Sequence, residues 1–347
     1  MSTRFSAKQK RSVHRISAAA CAALVTTVLL VACVPPVAPG PTVRPQPIGR
    51  GKVANSTIEP SAGCSSATPR PPAGRSVLRV TTAHGSRNAL LDLPAAATTP
   101  AGSAGSEPLP VLVSLHPFTL NARVWDQYSQ LAAAGTARNY IVITPLGSEP
   151  GPRWAVPGGL EYGVDDLGYL SAALDTVEDS LCVDRNREFA AGFSAGAAMA
   201  QALSCTMPWR MAGIAASGGS NLTDLCPESA GTDVMILHGS ADPIAPLSGS
   251  KVAFAPPEGL SVDEVVATNA ARSDCDPRAV SEQLFSSVIV DTYQGCSENH
   301  RVQYWRMIGA GHTWAGATTL VEFITGPTNM QISATERVLD FFDAHTP

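Results

Sequence analysis

The sequence predicts an α/β fold with a mainly parallel central sheet covered by helices on both faces. Three observations carry that expectation. Short apolar runs of buried-strand length alternate with longer helical windows along most of the chain. A glycine-flanked serine stands where one such strand meets a helix. Hydrophobic residues make up 44% of the 347 positions and charged residues only 15%, enough apolar material for one large core.

Taken in order, SVLRVTTA (76–83) and ALLDLP (89–94) read as strands, followed by a Pro/Ala/Gly/Ser loop to Glu107. PVLVSLH (110–116), YIVITP (140–145), EFAAGF (188–193), MAGIAASG (211–218), DVMILHG (233–239) and VQYWRMIG (302–309) are further runs of buried-strand length. Between them lie helical windows over Val124–Ala137, Asp165–Leu181, Ala195–Cys205, Ser261–Ser273 and Ala334–His345. Asp165 can cap the second of these, and Ser333 or Thr335 the last. The stretch between Cys275 and Cys296 shows no clear element of its own. With no internal repeat, one α/β domain over residues 76–347, about 270 residues, is the simplest fit.

The N-terminus reads as an export signal. Five cations and no acid occupy residues 1–15, and a small-residue and apolar run follows from Ile16 to Ala32. It ends Leu30-Val31-Ala32-Cys33, which resembles a bacterial lipobox, with cleavage before Cys33 and lipid carried on that cysteine. A plain transmembrane anchor is the alternative, but a run of about 17 residues sits at the short limit for a span. Residues 33–75 are rich in Pro, Gly, Ser and Thr, which makes them a tether rather than a core. Past them, residues 76–347 hold 14 Lys and Arg against 28 Asp and Glu. A folded part that acidic repels polyanions, so a nucleic-acid partner is excluded as the default.

Eight cysteines suit an exported chain. Cys21 leaves with the signal and Cys33 takes lipid, so six remain for three disulfides. Cys182 precedes the strand 188–193 and Cys205 closes the helix that runs back from it, so both lie at the same sheet edge and can pair. Cys275–Cys296 would close the loop between them, and Cys64–Cys226 follows by elimination. A free Cys64 thiol with Cys226 unpaired is the alternative. No Cys-x-x-Cys or His-x-x-x-His spacing supports a zinc site, and no cofactor is expected.

The chemistry centres on Gly192-Phe193-Ser194-Ala195-Gly196. A tight strand-to-helix turn lifts the serine hydroxyl above the sheet, and its neighbours must be small to avoid collision across the turn. A hydroxyl is a weak nucleophile and needs a base, which needs an orienting acid. Asp242 follows a strand in HGSADPIAP, and His312 follows another in GAGHTWAG, giving the chain order Ser, Asp, His. His238, four residues before Asp242, is read as bracing that turn. Asp165-Asp166 precede the serine at a helix start and are read as capping residues. Two N–H donors are needed for the oxyanion. Ala195 supplies one; Pro117 has no N–H, so Phe118, with Thr119 behind it, is the candidate for the other.

HPFTLNA, GVDDLGYL, GFSAG, HGSADPIAP and GHTWAG stand in the order found in secreted esterases. Over roughly residues 76–345 the chain resembles the polyhydroxybutyrate-depolymerase and feruloyl-esterase group, carbohydrate esterases of the family-one type. The resemblance implies an α/β-hydrolase fold that cleaves carboxylic esters without metal or organic cofactor, and it places the triad on Ser194, Asp242 and His312. Pro117 and Ala315 depart from it, standing where the group usually has glycine and proline.

Trp314, two residues past the base, and Trp154, in a loop at a strand's carboxyl end, are candidates for the cleft wall together with Thr119. Trp305 lies inside a strand pattern and reads as core. Two functions remain open at this level. One is an ester hydrolase acting, as a monomer, on hydroxyalkanoate esters, feruloyl or acetyl esters of polysaccharide, or small lipidic esters. The other is a surface lipoprotein whose hydrolase scaffold only binds wall components or a partner. A complete triad in the right order favours the first.

Overall fold

The computed structural model describes residues 58–66, 69–100, 107–118, 120–148, 153–158, 163–249, 260–318 and 322–345. The export signal, Cys33 and Thr119 lie outside the described residues, as does most of the tether.

Ten strands form one sheet: β1 (Gly74–Thr82), β2 (Gly85–Leu93), β3 (Leu109–Leu115), β4 (Ile141–Pro145), β5 (Val183–Phe193), β6 (Gly213–Ser217), β7 (Asp233–Gly239), β8 (Val280–Phe285), β9 (Val288–Thr292) and β10 (Val302–Met307). Their order is β1-β2-β4-β3-β5-β6-β7-β10-β9-β8. The six central strands from β4 to β10 run parallel, and the outer pairs at each side are antiparallel. All parallel strands therefore end on one edge, where the connecting loops gather.

Burial on both faces explains why the central strands read as unbroken apolar runs. Val111, Val113, Ala190, Ile214 and Ile236 face one cluster, built with Leu170, Leu174, Met199, Leu203 and Val265 from α3 (Asp166–Ser180), α4 (Ala195–Thr206) and α5 (Val262–Arg272). Their sequence neighbours Leu112, Phe189, Ala191, Met235 and Leu237 face the other. That second cluster takes Trp125 from α1 (Ala122–Ser129), Leu131 from α2 (Leu131–Ala137), and Val338, Leu339 and Phe342 from α7 (Ala334–Asp343). The short α6 is Glu322–Thr325.

Several expectations are corrected. The single helix over Val124–Ala137 is two, because Gln130 takes a left-handed conformation (φ 58°) and breaks the run. The stretch between Cys275 and Cys296 is the β8–β9 hairpin, which adds two strands to the sheet beyond β10. Its β8 is exposed at every position, so no apolar pattern announced it. Residues 58–66 lie on the domain: Pro60 bridges to Asp184, and the Ser61 hydroxyl donates to the Leu181 carbonyl and accepts from Val183 N–H.

That docking changes the disulfides. Cys64 reaches the start of β5 and bonds Cys182, not Cys226, and Cys205 bonds Cys226 instead of Cys182. Cys226 lies on the path from β6 back to the start of β7, where the Ser229 hydroxyl meets the Cys205 carbonyl, and is thus far from the edge where β6 ends. Cys275 bonds Cys296.

Candidate active site

Ser194 sits between β5 and α4 at φ 54° and ψ −120°, a conformation that costs of order 1–3 kcal/mol for a residue with a side chain. The flanking glycines make the turn possible. A Cβ on Gly192 would lie 2.3 Å from the Gly196 carbonyl oxygen, and one on Gly196 would lie 2.1 Å from that of Leu115. The second contact also seats the start of α4 against the loop after β3. Ser194 N–H donates to Ser217 O at 2.9 Å, which fixes the turn to β6.

Asp242 and His312 come from the loops after β7 and β10, which are adjacent strands. Both are buried. Asp242 Oδ1 accepts from the N–H groups of Ile244 and Ala245, at 2.8 and 2.7 Å, and Oδ2 lies 2.8 Å from His312 Nδ1. With the carboxylate pinned by two donors, the imidazole donates from Nδ1, which leaves Nε2 as the basic nitrogen. The His312 ring packs on Phe193, the residue before the serine, with centroids 4.8 Å apart. Gly218, at φ 62°, fills the space between them: a Cβ there would stand 3.0 Å from the Phe193 ring and 3.4 Å from His312 Nδ1. His312 N–H donates to Thr325 O, and Gly311 N–H to Pro327 O, so the end of α6 and the residues after it hold the histidine loop. His238 braces the acid's turn as expected: Nε2 meets the Ala245 carbonyl at 2.7 Å, and burial lowers its pKa.

Phe118 is half exposed at the carboxyl end of β3, one residue past Pro117. The cleft role expected of Trp314 and Trp154 is not what the structure gives them, since each is only 1% exposed. Their indole N–H groups are satisfied internally, Trp314 by Thr335 Oγ1 and Trp154 by His116 O. Trp314 packs edge-on against Trp125 beneath the histidine loop, and its own N–H donates to the Tyr128 hydroxyl.

Two positioning residues escaped the sequence reading. His116 is wholly buried, with Nε2 accepting from Gly147 N–H at 2.8 Å and Nδ1 donating to Pro117 O at 2.9 Å. Burial drops its pKa to about 4, so it is neutral and ties the loop before Phe118 to the end of β4. Asp166 does not cap; that falls to Asp165, which accepts from Gly168 N–H. Instead it pairs with Arg87 and accepts from Ala155 N–H at 2.7 Å, while Arg87 also donates to Leu146 O. A histidine in HPF and the second aspartate of VDD were the signals available. Among the described residues no group of three His, Cys, Asp or Glu side chains could hold a metal ion.

This fold, with a serine on the turn after the central parallel strand, is the α/β-hydrolase fold. Residues 167–255 match the phospholipase/carboxylesterase family model. Feruloyl esterase C of Emericella nidulans is 27% identical over half of this chain, and NocK, an esterase by name, of Nocardia uniformis is 27% identical over 70% of it. The chain spans 57% of the first relative's length and 76% of the second's. The acetyl xylan esterase from Aspergillus awamori shares the fold at a TM-score of 0.50 and 17% identity, covering 69% of this chain and 94% of its own.

Proposed function

We propose that the chain is an extracytoplasmic serine esterase working through Ser194, His312 and Asp242. The observations that carry the reading are the strained Ser194 and the buried His312–Asp242 pair, whose imidazole packs on Phe193, the residue before the serine. His312 takes the hydroxyl proton as Ser194 Oγ attacks the ester carbonyl. The N–H groups of Ala195 and Phe118 hold the oxyanion, and contact between Gly196 and the β3 loop supports bringing those two donors together. The alcohol leaves with the proton from His312, and water activated by the same imidazole frees the acid from the acyl-enzyme.

The substrate is a hydroxyalkanoate ester, a feruloyl or acetyl ester of polysaccharide, or a small lipidic ester. Relatives named feruloyl esterase support the aromatic option among these. Three disulfides support action outside the cytoplasm. Lipid on Cys33 would hold the domain at the outer side of the membrane, on a tether ending where residue 58 docks. The domain acts as a monomer.

A panel of p-nitrophenyl esters, methyl ferulate and hydroxybutyrate oligomers tests the reading. Turnover of at least one, lost in His312→Ala, is expected. Turnover of none would leave a binding scaffold.

A further inference from the structure

A cavity of about 490 Å³ opens between the outer strands β1 and β2 and the start of α1. Val77, Ala89, Leu90, Ala122 and Leu146 give it an apolar wall. Val77 and Leu90 are direct partners across β1 and β2. Val77 is 59% exposed, so its side chain is open to a ligand in the cavity. Arg123 also lines the cavity. It is exposed, makes no ion pair or hydrogen bond from its side chain among the described residues, and has no acidic residue beside it in the first turn of α1. In a domain with twice as many acids as bases, an unpaired arginine on an apolar cavity is a charge without a complement.

The cavity lies toward the same sheet edge as the candidate site. Ala89 pairs with Pro145, the last residue of β4, which places this part of β2 at the edge where the parallel strands end. Leu146 precedes Gly147, whose N–H holds His116, and Asn121 at the cavity is three residues past Phe118. From β5, which leads to Ser194, β2 is three strands away, about 14 Å at the usual strand spacing. Half-exposed Phe118 stands on the β3 loop along that way.

We infer that this cavity is a distal subsite for the acyl group of an extended ester. Val77 and Leu90 take the apolar chain, and Arg123 pairs with a carboxylate at its far end. The inference rests on the esterase reading and narrows it to long acyl groups that end in an acid.

The test compares p-nitrophenyl acetate with the mono-p-nitrophenyl ester of decanedioic acid, in the wild type, Arg123→Ala and Val77→Asp. Both positions are exposed, so thermal melts serve to verify folding. The ratio of kcat/KM for the long ester to that for acetate is expected to fall tenfold or more in each variant. An unchanged ratio overturns the subsite. If neither ester is hydrolysed the esterase reading fails, and calorimetric binding of free decanedioate decides the subsite separately. Binding weakened at least tenfold by Arg123→Ala upholds it, and no binding to the wild type overturns it.

Discussion

The two edges of the sheet are held in different ways. At the edge where parallel strands begin, the chain is tied covalently and by charge. All three disulfides lie there, and Arg210 clasps Asp175, Glu178 and Glu188 while Arg301 and His345 hold Asp233. At the edge where strands end, no disulfide occurs among the described residues. Glycines pressed on backbone carbonyls, neutral buried histidines, the Arg87–Asp166 ion pair and single hydrogen bonds do the holding. The difference teaches where strain can be kept. A left-handed serine costs free energy, and a fold secured at its opposite edge can carry that cost without closing over the site.

If the edges divide stability from chemistry, substitutions should separate the two. Asp242→Asn should cost about 10⁴-fold in kcat by spoiling the tautomer of His312 while melting near the wild type. A loss below tenfold, measured on any ester turned over, would break the division at the catalytic side. Replacing Cys64 and Cys182 with serine should do the reverse. Their crosslink spans 118 residues, and losing it should cost about 4 to 5 kcal/mol in the chain-entropy model, with kcat unchanged in the protein that remains folded. Urea denaturation followed beside turnover separates the outcomes.

A smaller effect comes from His116. Its pKa in the folded chain is about 4, against an ordinary value of about 6.5, so between those values the unfolded chain binds a proton that the folded chain refuses. Its share of stability is therefore whole above about pH 6.5 and lost as pH falls toward 4, up to about 3 kcal/mol. In His116→Gln the difference in urea midpoint between pH 7 and pH 4.5 should narrow; an equal difference would remove His116 from the account. Smallest is the strain itself. Ser194→Gly should raise stability by about 1 kcal/mol, since glycine takes a positive φ freely.

The core of this fold was legible because β3 to β7 are buried on both faces and alternate with helices. The placement of Ser194, Asp242 and His312 just past strand ends was legible because each follows an apolar run of strand length. The β8–β9 hairpin was not, since its outer strand is exposed at every residue and shows no apolar pattern. Cys226 and Cys64 were mispaired because loop length hides which edge a loop returns to. Trp154 and Trp314 were misplaced for a related reason: position in a loop near the site says nothing about which way an indole turns. Its buried partners, His116 O and Thr335 Oγ1, are far away in sequence.

The central claim is that Ser194 is a nucleophile activated by His312. The most direct test is labelling by a fluorophosphonate probe, with the modified peptide located by mass spectrometry. The account predicts one adduct, on Ser194, formed by the wild type, absent in Ser194→Ala and slowed by orders of magnitude in His312→Ala. A folded wild type that takes no label, or an adduct that persists in Ser194→Ala, would contradict it.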